Sequence, residues 1–474
     1  MTVSPIVLAL VLAQAPVGAG TGTPAQAAPA APEGQPLPTL TLEEALKEAD
    51  KNNLDLKAAQ ARLDQAHEIS KKVWAGYLPQ ITGGATYTRN QFDAKFPAGS
   101  WIRNVPDNQQ NGPTNDPDVP GTPNNDILLS PSKEVIVLQK LNQLGAQLQV
   151  SQAVIVPYLW PAIANSYLAE KVAELTVASA RNDILFGVVQ LYYGAVGLKE
   201  ALTVQQRLLE NSRAHERDAS VRVEAGAAPK ISLIRAQIDR TRAEEDVRRA
   251  QFAFDSARVA LTTLLDRADA RFDVVHPAEL PVPPNPGGLE KTAMQRRPDL
   301  AVARENTELV QKTSDAIWYN YLPNVYFRGL YQVGNTQGFT GASGSWALTL
   351  SLNWTLWDGG TRESQLRENA AKAREADFNQ RAAMTRARDE VRRSILDMES
   401  AQANRAKADE QARLARENMQ LVTVNFNSGV ATQLDVADAT TALTNAELGL
   451  VTERLNAELA VVRLMKAAGE FNPQ

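Results

Sequence analysis

Cysteine is absent from this chain of 474 residues, and histidine occurs only three times. Without cysteine there are no disulfides, no thiolate metal ligands, no cysteine nucleophile and no lipid anchor on an N-terminal cysteine. The three histidines, His67, His215 and His276, are not paired with one another at the spacing of metal ligands. The sequence therefore predicts neither a metal site nor a bound cofactor.

Three further absences narrow the functional class. Net charge is only −5 at pH 7, which leaves no basic field for nucleic acid. The motifs of α/β-hydrolases, phosphate-binding loops, zinc proteases and dinucleotide-binding enzymes are missing, so the chain is not predicted to be an enzyme. Beyond the N-terminus, no segment reaches the ~20 apolar residues of a transmembrane helix, and a membrane-embedded form must therefore use strands.

The N-terminus predicts export. Residues 6–13 form a short apolar run, and two small-x-small tripeptides, at 13–15 and 25–27, each have the form of a signal cleavage site. No Lys or Arg precedes Lys47, so the usual basic n-region is missing. We predict a signal peptide over 1–27 and a flexible lead over 28–38, the alternative being a disordered tail.

The chain follows one structural plan twice. Residues 73–79 are similar to residues 317–323 at an offset of 244 (317 − 73), and residues 224–228 are similar to residues 427–431 at an offset of 203 (427 − 224). Each copy has the order helix, two alternating strands, very long helix, glycine turn and second helix, and such repetition governs the fold. We predict a first repeat over 39–272, a Pro-rich linker over 273–288 and a second repeat over 289–470.

The first repeat opens with an amphipathic helix predicted over 42–75. Its two strands enclose a stretch rich in Pro, Asn, Asp and Gly, which is predicted to be a long loop over 91–131. The second repeat lacks 41 residues of this loop, which is the difference between the two offsets (244 − 203). Because it joins two predicted membrane strands, we expect the loop to be extracellular.

The clearest strand is predicted over 346–356, where apolar and polar residues alternate. Such alternation over about ten residues, with aromatic residues towards the ends, is typical of a lipid-facing barrel strand, although a strand of a soluble sandwich has the same pattern. Four such strands favour the barrel but cannot close one, so we expect the chain to oligomerise. The residues predicted to face lipid are Trp346, Leu348, Leu350, Leu352, Trp354 and Leu356.

The longest helix is predicted over 361–428, because these 68 residues contain neither glycine nor proline. At ~1.5 Å per residue its length is roughly 100 Å. A stripe of mainly apolar residues, spaced alternately by three and four from Met384 to Phe426, is typical of a coiled-coil seam. The predicted fold is therefore mainly α-helical, with duplicated long coiled-coil hairpins that form an α-barrel and four strands that contribute to a transmembrane β-barrel.

Glycines are predicted to end both long helices at the far tips of the hairpins. Gly226 and Gly429 lie where a left-handed conformation would stop a helix, and capping alone explains them. A tip so far from the strands is also where a partner protein would dock. The residues predicted to contact such a partner are Val223, Gly226, Ala227, Ala228, Ser428, Gly429 and Val430.

Two acidic residues follow the second tip. Asp435 and Asp438 share one helix face, and Asp435 is explained structurally as a first-turn acid behind an N-cap at Thr432. In a ring of identical subunits, however, the two would form stacked acidic rings at a constriction, as in cation pathways. The first repeat has Ser232 and Arg235 at the corresponding positions, so such rings come from the second repeat only.

These features together resemble the TolC family of outer-membrane efflux proteins over residues 40–470. The resemblance rests on Leu-Pro pairs at 78–79 and 322–323, on Leu356–Gly360 after the last strand, and on the segment from Gly429 to Leu443. It implies a homotrimer in contact with outer-membrane lipid, with four strands of each chain forming a 12-stranded barrel and the helices forming a periplasmic tunnel. The resemblance also implies that the trimer is a passive exit duct for drugs, toxins or proteins. Its implied partners in a tripartite efflux or type I secretion system are a periplasmic adaptor (membrane fusion) protein and an inner-membrane pump.

The resemblance assigns Asp435 and Asp438 to aspartate rings at the periplasmic aperture. The tyrosine and arginine that lock this aperture in the family correspond to Phe426 and Ala431, and the tip aspartate of the first half corresponds to Ser232. The chain therefore lacks the groups that make those locking bonds. The alternative from another class is a periplasmic adaptor or structural coiled-coil protein without a channel, but an adaptor has one hairpin, whereas this chain has two hairpins and paired strands.

Overall fold

The computed structural model describes residues 37–97, 103–104, 127–128, 135–277, 282, 284–285, 287–336 and 342–471. The predicted signal peptide at 1–27 lies outside the described residues, as do residues 28–36 of the predicted lead and most of the predicted loop at 91–131. Among the helices of the described residues, none is both long and apolar enough to cross a bilayer.

Helices form most of the described chain, which confirms the prediction of a mainly α-helical fold. The two longest have 66 and 67 residues, and at ~1.5 Å per residue each is roughly 100 Å long. The α-helices of the described residues are α1 Leu42–Asn52, α2 Leu54–Ala75, α3 Leu159–Glu224, α4 Lys230–Leu265, α5 Leu289–Arg296, α6 Pro298–Ala316, α7 Thr361–Asn427 and α8 Gln433–Ala468.

Two helices, α1 and α2, replace the single helix predicted over 42–75, because Asn53 interrupts it. The buried Asn53 side chain accepts a hydrogen bond from the Leu56 backbone N–H at 3.0 Å and donates one to the Leu264 carbonyl at 2.8 Å. Asn53 thereby caps α2 and fastens it to the end of α4. The sequence pattern misses this break because the second bond depends on tertiary structure.

A four-stranded sheet adjoins the helices. The strands of the described residues are β1 Thr39–Leu40, β2 Gln80–Arg89, β3 Ala94–Pro97, β4 Arg103–Asn104, β5 Ile127–Leu128, β6 Val135–Gln139, β7 Asn142–Ile155, β8 Asp273–Val274, β9 Asn324–Gly334 and β10 Gly344–Asn353. The sheet is antiparallel in the order β2-β7-β9-β10, so each repeat contributes two neighbouring strands. Within the described residues its edge strands, β2 and β10, have no further partner, and the sheet of one chain is open.

Strand β10 ends three residues before the end of the strand that the sequence predicts. Its last residue, Asn353, pairs with Asn324, the first residue of β9. Pro323 precedes Asn324 and has no N–H to donate to a ladder. The pairing therefore stops at this point, and Trp354 and Leu356 lie beyond the strand.

Short strands occupy part of the segment predicted to be a loop over 91–131, which corrects that prediction. β3 pairs with β6 and β4 pairs with β5, both in antiparallel orientation. The described part of this segment thus extends the hairpin formed by β2 and β7. The Pro, Asn and Gly content of the segment predicts a loop, because it does not indicate strand pairing between residues far apart in sequence, such as Ala94 and Gln139.

The two ends of the first repeat meet in a small parallel sheet. β1 pairs with β8, so residues 273–274 are strand although the sequence places them in the linker. The hydroxyl of the buried Tyr192 lies 2.8 Å from the Leu40 carbonyl oxygen and 2.7 Å from that of Val275. The larger hydrophobic core surrounds this tyrosine and includes residues of α1, α3, α4 and α8.

Each repeat forms a long helical hairpin, with α3 packed along α4 and α7 packed along α8. Every residue of the predicted α7 seam is buried or half-buried, which confirms the seam. Its fully buried members are Ala387, Val391, Met398, Ala408 and Ala412. The hairpins also contact each other, because α3 approaches α8 so closely at Gly197 that a Cβ atom there would lie 1.9 Å from Leu455 Cδ1.

Candidate aperture at the hairpin tips

A glycine in the left-handed region ends the long helix of each hairpin, as the sequence predicts. Gly226 has a φ of +71° and Gly429 a φ of +79°. The N–H of the following residue donates back to a carbonyl in the last helical turn, from Ala227 to Arg222 at 2.8 Å and from Val430 to Asn425 at 2.9 Å. This Schellman geometry explains both glycines structurally.

The tips of the two hairpins contact each other. The Arg222 guanidinium lies over the Phe426 ring, 4.9 Å from its centroid, and the Asp218 carboxylate holds the guanidinium at 3.0 Å. Gln433 Nε2 donates to the Ser232 carbonyl oxygen at 3.4 Å. A cation over an aromatic ring contributes ~0.5–1 kcal/mol at an exposed site. These contacts between the two tips, taken from the described residues, are therefore weak.

A cavity of about 520 Å³ lies between the tips. Phe426, Ala431 and Ser232, the three residues that the sequence resemblance predicts in place of locking groups, all line it. Arg222 lines it as well, and the sequence does not single out this residue because its contact with Phe426 exists only after the hairpins pack together. The cavity thus brings together these three residues and the Arg222–Phe426 pair.

The two aspartates of the second tip differ in their surroundings. The Asp435 carboxylate accepts hydrogen bonds from the Thr432 hydroxyl and backbone N–H, both at 2.7 Å, and the Thr432 hydroxyl accepts from the Asp435 N–H at 3.3 Å. The hydroxyl bond first, and the backbone bond second, lower the pKa of Asp435. Asp438 is exposed and makes no hydrogen bond or ion pair within the described part of the chain. Neither aspartate lines the cavity.

Most residues predicted to contact a partner lie on the open surface of the tips. Val223 and Ala228 are half-buried, whereas Gly226, Ala227, Ser428, Gly429 and Val430 are exposed. Val430 is 77% exposed. The tips therefore present a small apolar surface that the chain itself does not cover.

One face of β10 is apolar and uncovered within a single chain. Trp346, Leu348, Leu350 and Leu352 are between 64% and 72% exposed. Trp354 and Leu356 are exposed too, but they lie beyond the strand.

Aromatic residues cluster where the strands meet the helices, and the sequence pattern does not reveal this grouping. Trp160 and Tyr319 pack edge to face with centroids 6.2 Å apart, although they belong to different repeats. Trp74 Nε1 donates to the Tyr167 hydroxyl at 2.8 Å. Trp and Tyr are enriched at membrane–water interfaces, so this cluster has the composition of an interfacial belt.

Solved bacterial membrane proteins have a similar fold. A membrane protein of Pseudomonas aeruginosa has a TM-score of 0.72 and 19% identity, with 91% of each chain covered. The outer membrane protein VceC of Vibrio cholerae has a TM-score of 0.69 and 18% identity, with 90% of this chain and 96% of that one covered. The outer membrane channel CmeC of Campylobacter jejuni has a TM-score of 0.71 and 16% identity, with 91% and 86% covered. No curated protein matches the sequence.

The family comparison concerns the second repeat. Residues 289–470, which contain β9, β10 and the hairpin of α7 and α8, match the family described as outer membrane efflux protein. This match and the shared fold confirm the resemblance to the TolC family of outer-membrane efflux proteins. Residues 289–470 are thus similar to the outer membrane efflux protein family, and the described chain as a whole has the fold of the solved proteins above.

Proposed function

We propose that the chain works as a homotrimer. The observation that supports this most directly is the open four-stranded sheet, whose edge strands β2 and β10 have no partner among the described residues. In a bilayer every backbone polar group must be satisfied, and strands achieve this only in a closed barrel. Three chains of four strands make a 12-stranded barrel, an even number within the range of such proteins. The apolar face of β10 then lies against lipid.

The trimer would be a passive exit duct. We propose that substrates, either small molecules such as drugs and toxins or proteins, pass through the lumen of the helical tunnel without chemical change. An inner-membrane pump supplies the energy, and a periplasmic adaptor protein joins pump and duct in a tripartite efflux or type I secretion system. The exposed apolar residues at the tips, such as Ala227 and Val430, are the proposed contact for the adaptor.

Single-channel conductance in a planar bilayer tests the duct. The purified protein should insert as a trimer and give discrete current steps, with the trimer verified by light scattering in detergent. A protein that stays soluble and does not insert would contradict the proposal. Insertion of a trimer without current would instead show a duct sealed at its periplasmic end.

We further propose that Asp435 and Asp438 give the aperture its preference for cations. A trimer places six carboxylates, two from each chain, around the entrance, and neither aspartate has a cationic partner among the described residues. The lowered pKa of Asp435 keeps that residue ionised at neutral pH.

The double variant Asp435→Asn with Asp438→Asn tests the aperture. Under a salt gradient its reversal potential should move towards zero, because the ring loses all six charges while the side chains keep their size. Asp397→Asn is the matched control, since this exposed carboxylate lies on α7 roughly 45 Å from the tip at ~1.5 Å per residue. If the double variant keeps the selectivity of the original protein, the aspartates do not set it, whereas the trimeric duct would remain.

A further inference from the structure

A histidine and two carboxylates from different helices converge near the strand end of the helical hairpins. His67 lies on α2, and Glu170 and Glu174 lie on α3. His67 Nδ1 is 2.7 Å from Glu170 Oε1, and one donor atom from each of the three residues lies within 4.8 Å of the other two. Among the described residues this is the only such group of three.

The helices that bear these side chains are fixed against each other one turn away. The buried hydroxyls of Ser70 and Ser166 lie 3.2 Å apart across the α2–α3 contact. Trp74 Nε1 donates to the Tyr167 hydroxyl at 2.8 Å in the same contact. The backbones of α2 and α3 are therefore held in register beside the group, and only side-chain rotation is needed to adjust the donor atoms.

Glu170 has no lysine or arginine at ion-pair distance among the described residues, and the Lys71 charge acts on it only from farther away. Glu170 and Glu174 are four residues apart on one helix face, so their carboxylates repel each other. The nearby Lys71 ammonium pairs with Glu68 at 2.6 Å. The carboxylates of Glu170 and Glu174 have no ion pair with lysine or arginine within the described residues, and a cation between them would relieve their repulsion.

We propose that His67, Glu170 and Glu174 bind one divalent transition-metal ion of the zinc type. Zinc takes imidazole nitrogen at ~2.0–2.1 Å and carboxylate oxygen at ~2.0–2.2 Å, commonly with three protein ligands and one water. A mixed nitrogen and oxygen donor set suits zinc, nickel or copper, whereas calcium and magnesium require oxygen ligands. The half-buried His67 and Glu170 are already in contact, and the exposed Glu174 has room to rotate towards them.

Such an ion would fasten α2 to α3 close to the membrane strands. β2 follows α2 after four residues, and β7 precedes α3 by three residues. A metal bridge between the helices thus restrains the point at which the first repeat passes from helices to strands. The sequence alone does not predict this metal site, because Glu170 lies 103 positions after His67 (170 − 67) and the three histidines are far from one another.

Zinc titration of the full-length protein in detergent tests the site. Calorimetry should show one saturable Zn²⁺ per chain, and the affinity should fall at least about tenfold in His67→Gln and in Glu174→Gln, as for loss of a metal-supporting group. One control should keep the affinity of the original protein: His215→Gln removes a histidine of the tip cavity, far from the proposed site.

A structural readout accompanies the titration. Zn²⁺ should slow amide hydrogen exchange in α2 and the start of α3 of the original protein and not of His67→Gln. Absence of saturable binding, binding that is unchanged in His67→Gln, or loss of binding in the His215→Gln control would each overturn the assignment.

Discussion

The close approach of α3 to α8 at Gly197 predicts a sharp difference between two glycines of one helix. Gly194 and Gly197 both lie in the interior of α3, so either substitution by alanine gains ~1 kcal/mol of helix propensity. A Cβ atom at Gly194 meets nothing within 4 Å, whereas one at Gly197 would lie 1.9 Å from Leu455 Cδ1 and 3.3 Å from Leu455 Cγ. Over-packing of this kind costs about 1–3 kcal/mol. Gly194→Ala should therefore stabilise the protein, and Gly197→Ala should be less stable than Gly194→Ala by about 1–3 kcal/mol.

Denaturant unfolding followed by helical circular dichroism measures this difference. Protein concentration must be the same for all variants, because the stability of an oligomer depends on it. The double variant Gly197→Ala with Leu455→Ala provides the internal test, since shortening Leu455 removes the clash and the two effects should not add. If Gly197→Ala stabilises the protein as much as Gly194→Ala does, α3 and α8 are not in close contact at Gly197, and the predicted clash with Leu455 is wrong.

Two further predictions concern the contacts that join the helices near the core. Asn53→Ala should reduce the free energy of unfolding by about 1–2 kcal/mol, because it removes the cap of α2 and the hydrogen bond to the Leu264 carbonyl. The control Asn52→Ala should have little effect in the same denaturant assay. Arg297→Met should reduce the free energy of unfolding by about 1–2 kcal/mol at pH 7, because the nearly buried guanidinium binds Asp299 at 2.9 Å and Glu390 at 2.6 Å. The loss is no larger because both carboxylates are about half exposed and are hydrated once the guanidinium is gone. Burial raises the pKa of Asp299, but the hydrogen bonds and the charge of Arg297 outweigh burial and lower the pKa overall. The stabilisation is therefore fully present above the pKa that Asp299 has in the unfolded chain, and it is lost as the pH falls through the lower pKa of the folded protein. The difference between Arg297→Met and the original protein should therefore shrink in strong acid, and a difference that grows there would contradict the assigned pair.

Local sequence determines the long helices and the strands of the four-stranded sheet, so both could be predicted. The predicted helix over 361–428 differs from α7 by one residue, because no glycine or proline interrupts it and the glycine turn ends it. The alternation of β10 was equally clear, yet its end at Asn353 was predicted wrongly. That end is set by Pro323 on the partner strand, which no pattern within residues 344–353 contains.

Contacts between distant segments could not be predicted in the same way. Asn53 breaks a helical pattern through a bond to Leu264, and Arg222 reaches Phe426 only because the two hairpins lie side by side. The family resemblance predicts that Phe426 replaces a locking tyrosine, but it does not indicate which residue contacts Phe426. A position in one repeat can be compared with its counterpart in the other, whereas a contact between repeats has no such counterpart.

The geometry of the second tip makes Asp438 the more informative of the two aspartates. A capping box accounts for Asp435 without any role in transport, because its carboxylate satisfies Thr432 at the start of α8. Any loss of selectivity in Asp435→Asn would therefore combine a lost charge with a weakened helix start, which is worth about 1 kcal/mol. Asp438 makes no hydrogen bond or ion pair within the described residues, so Asp438→Asn removes a charge and leaves the fold unaltered. A change of reversal potential in Asp438→Asn alone, with unchanged unfolding, is consequently the result that separates an acidic ring from helix capping.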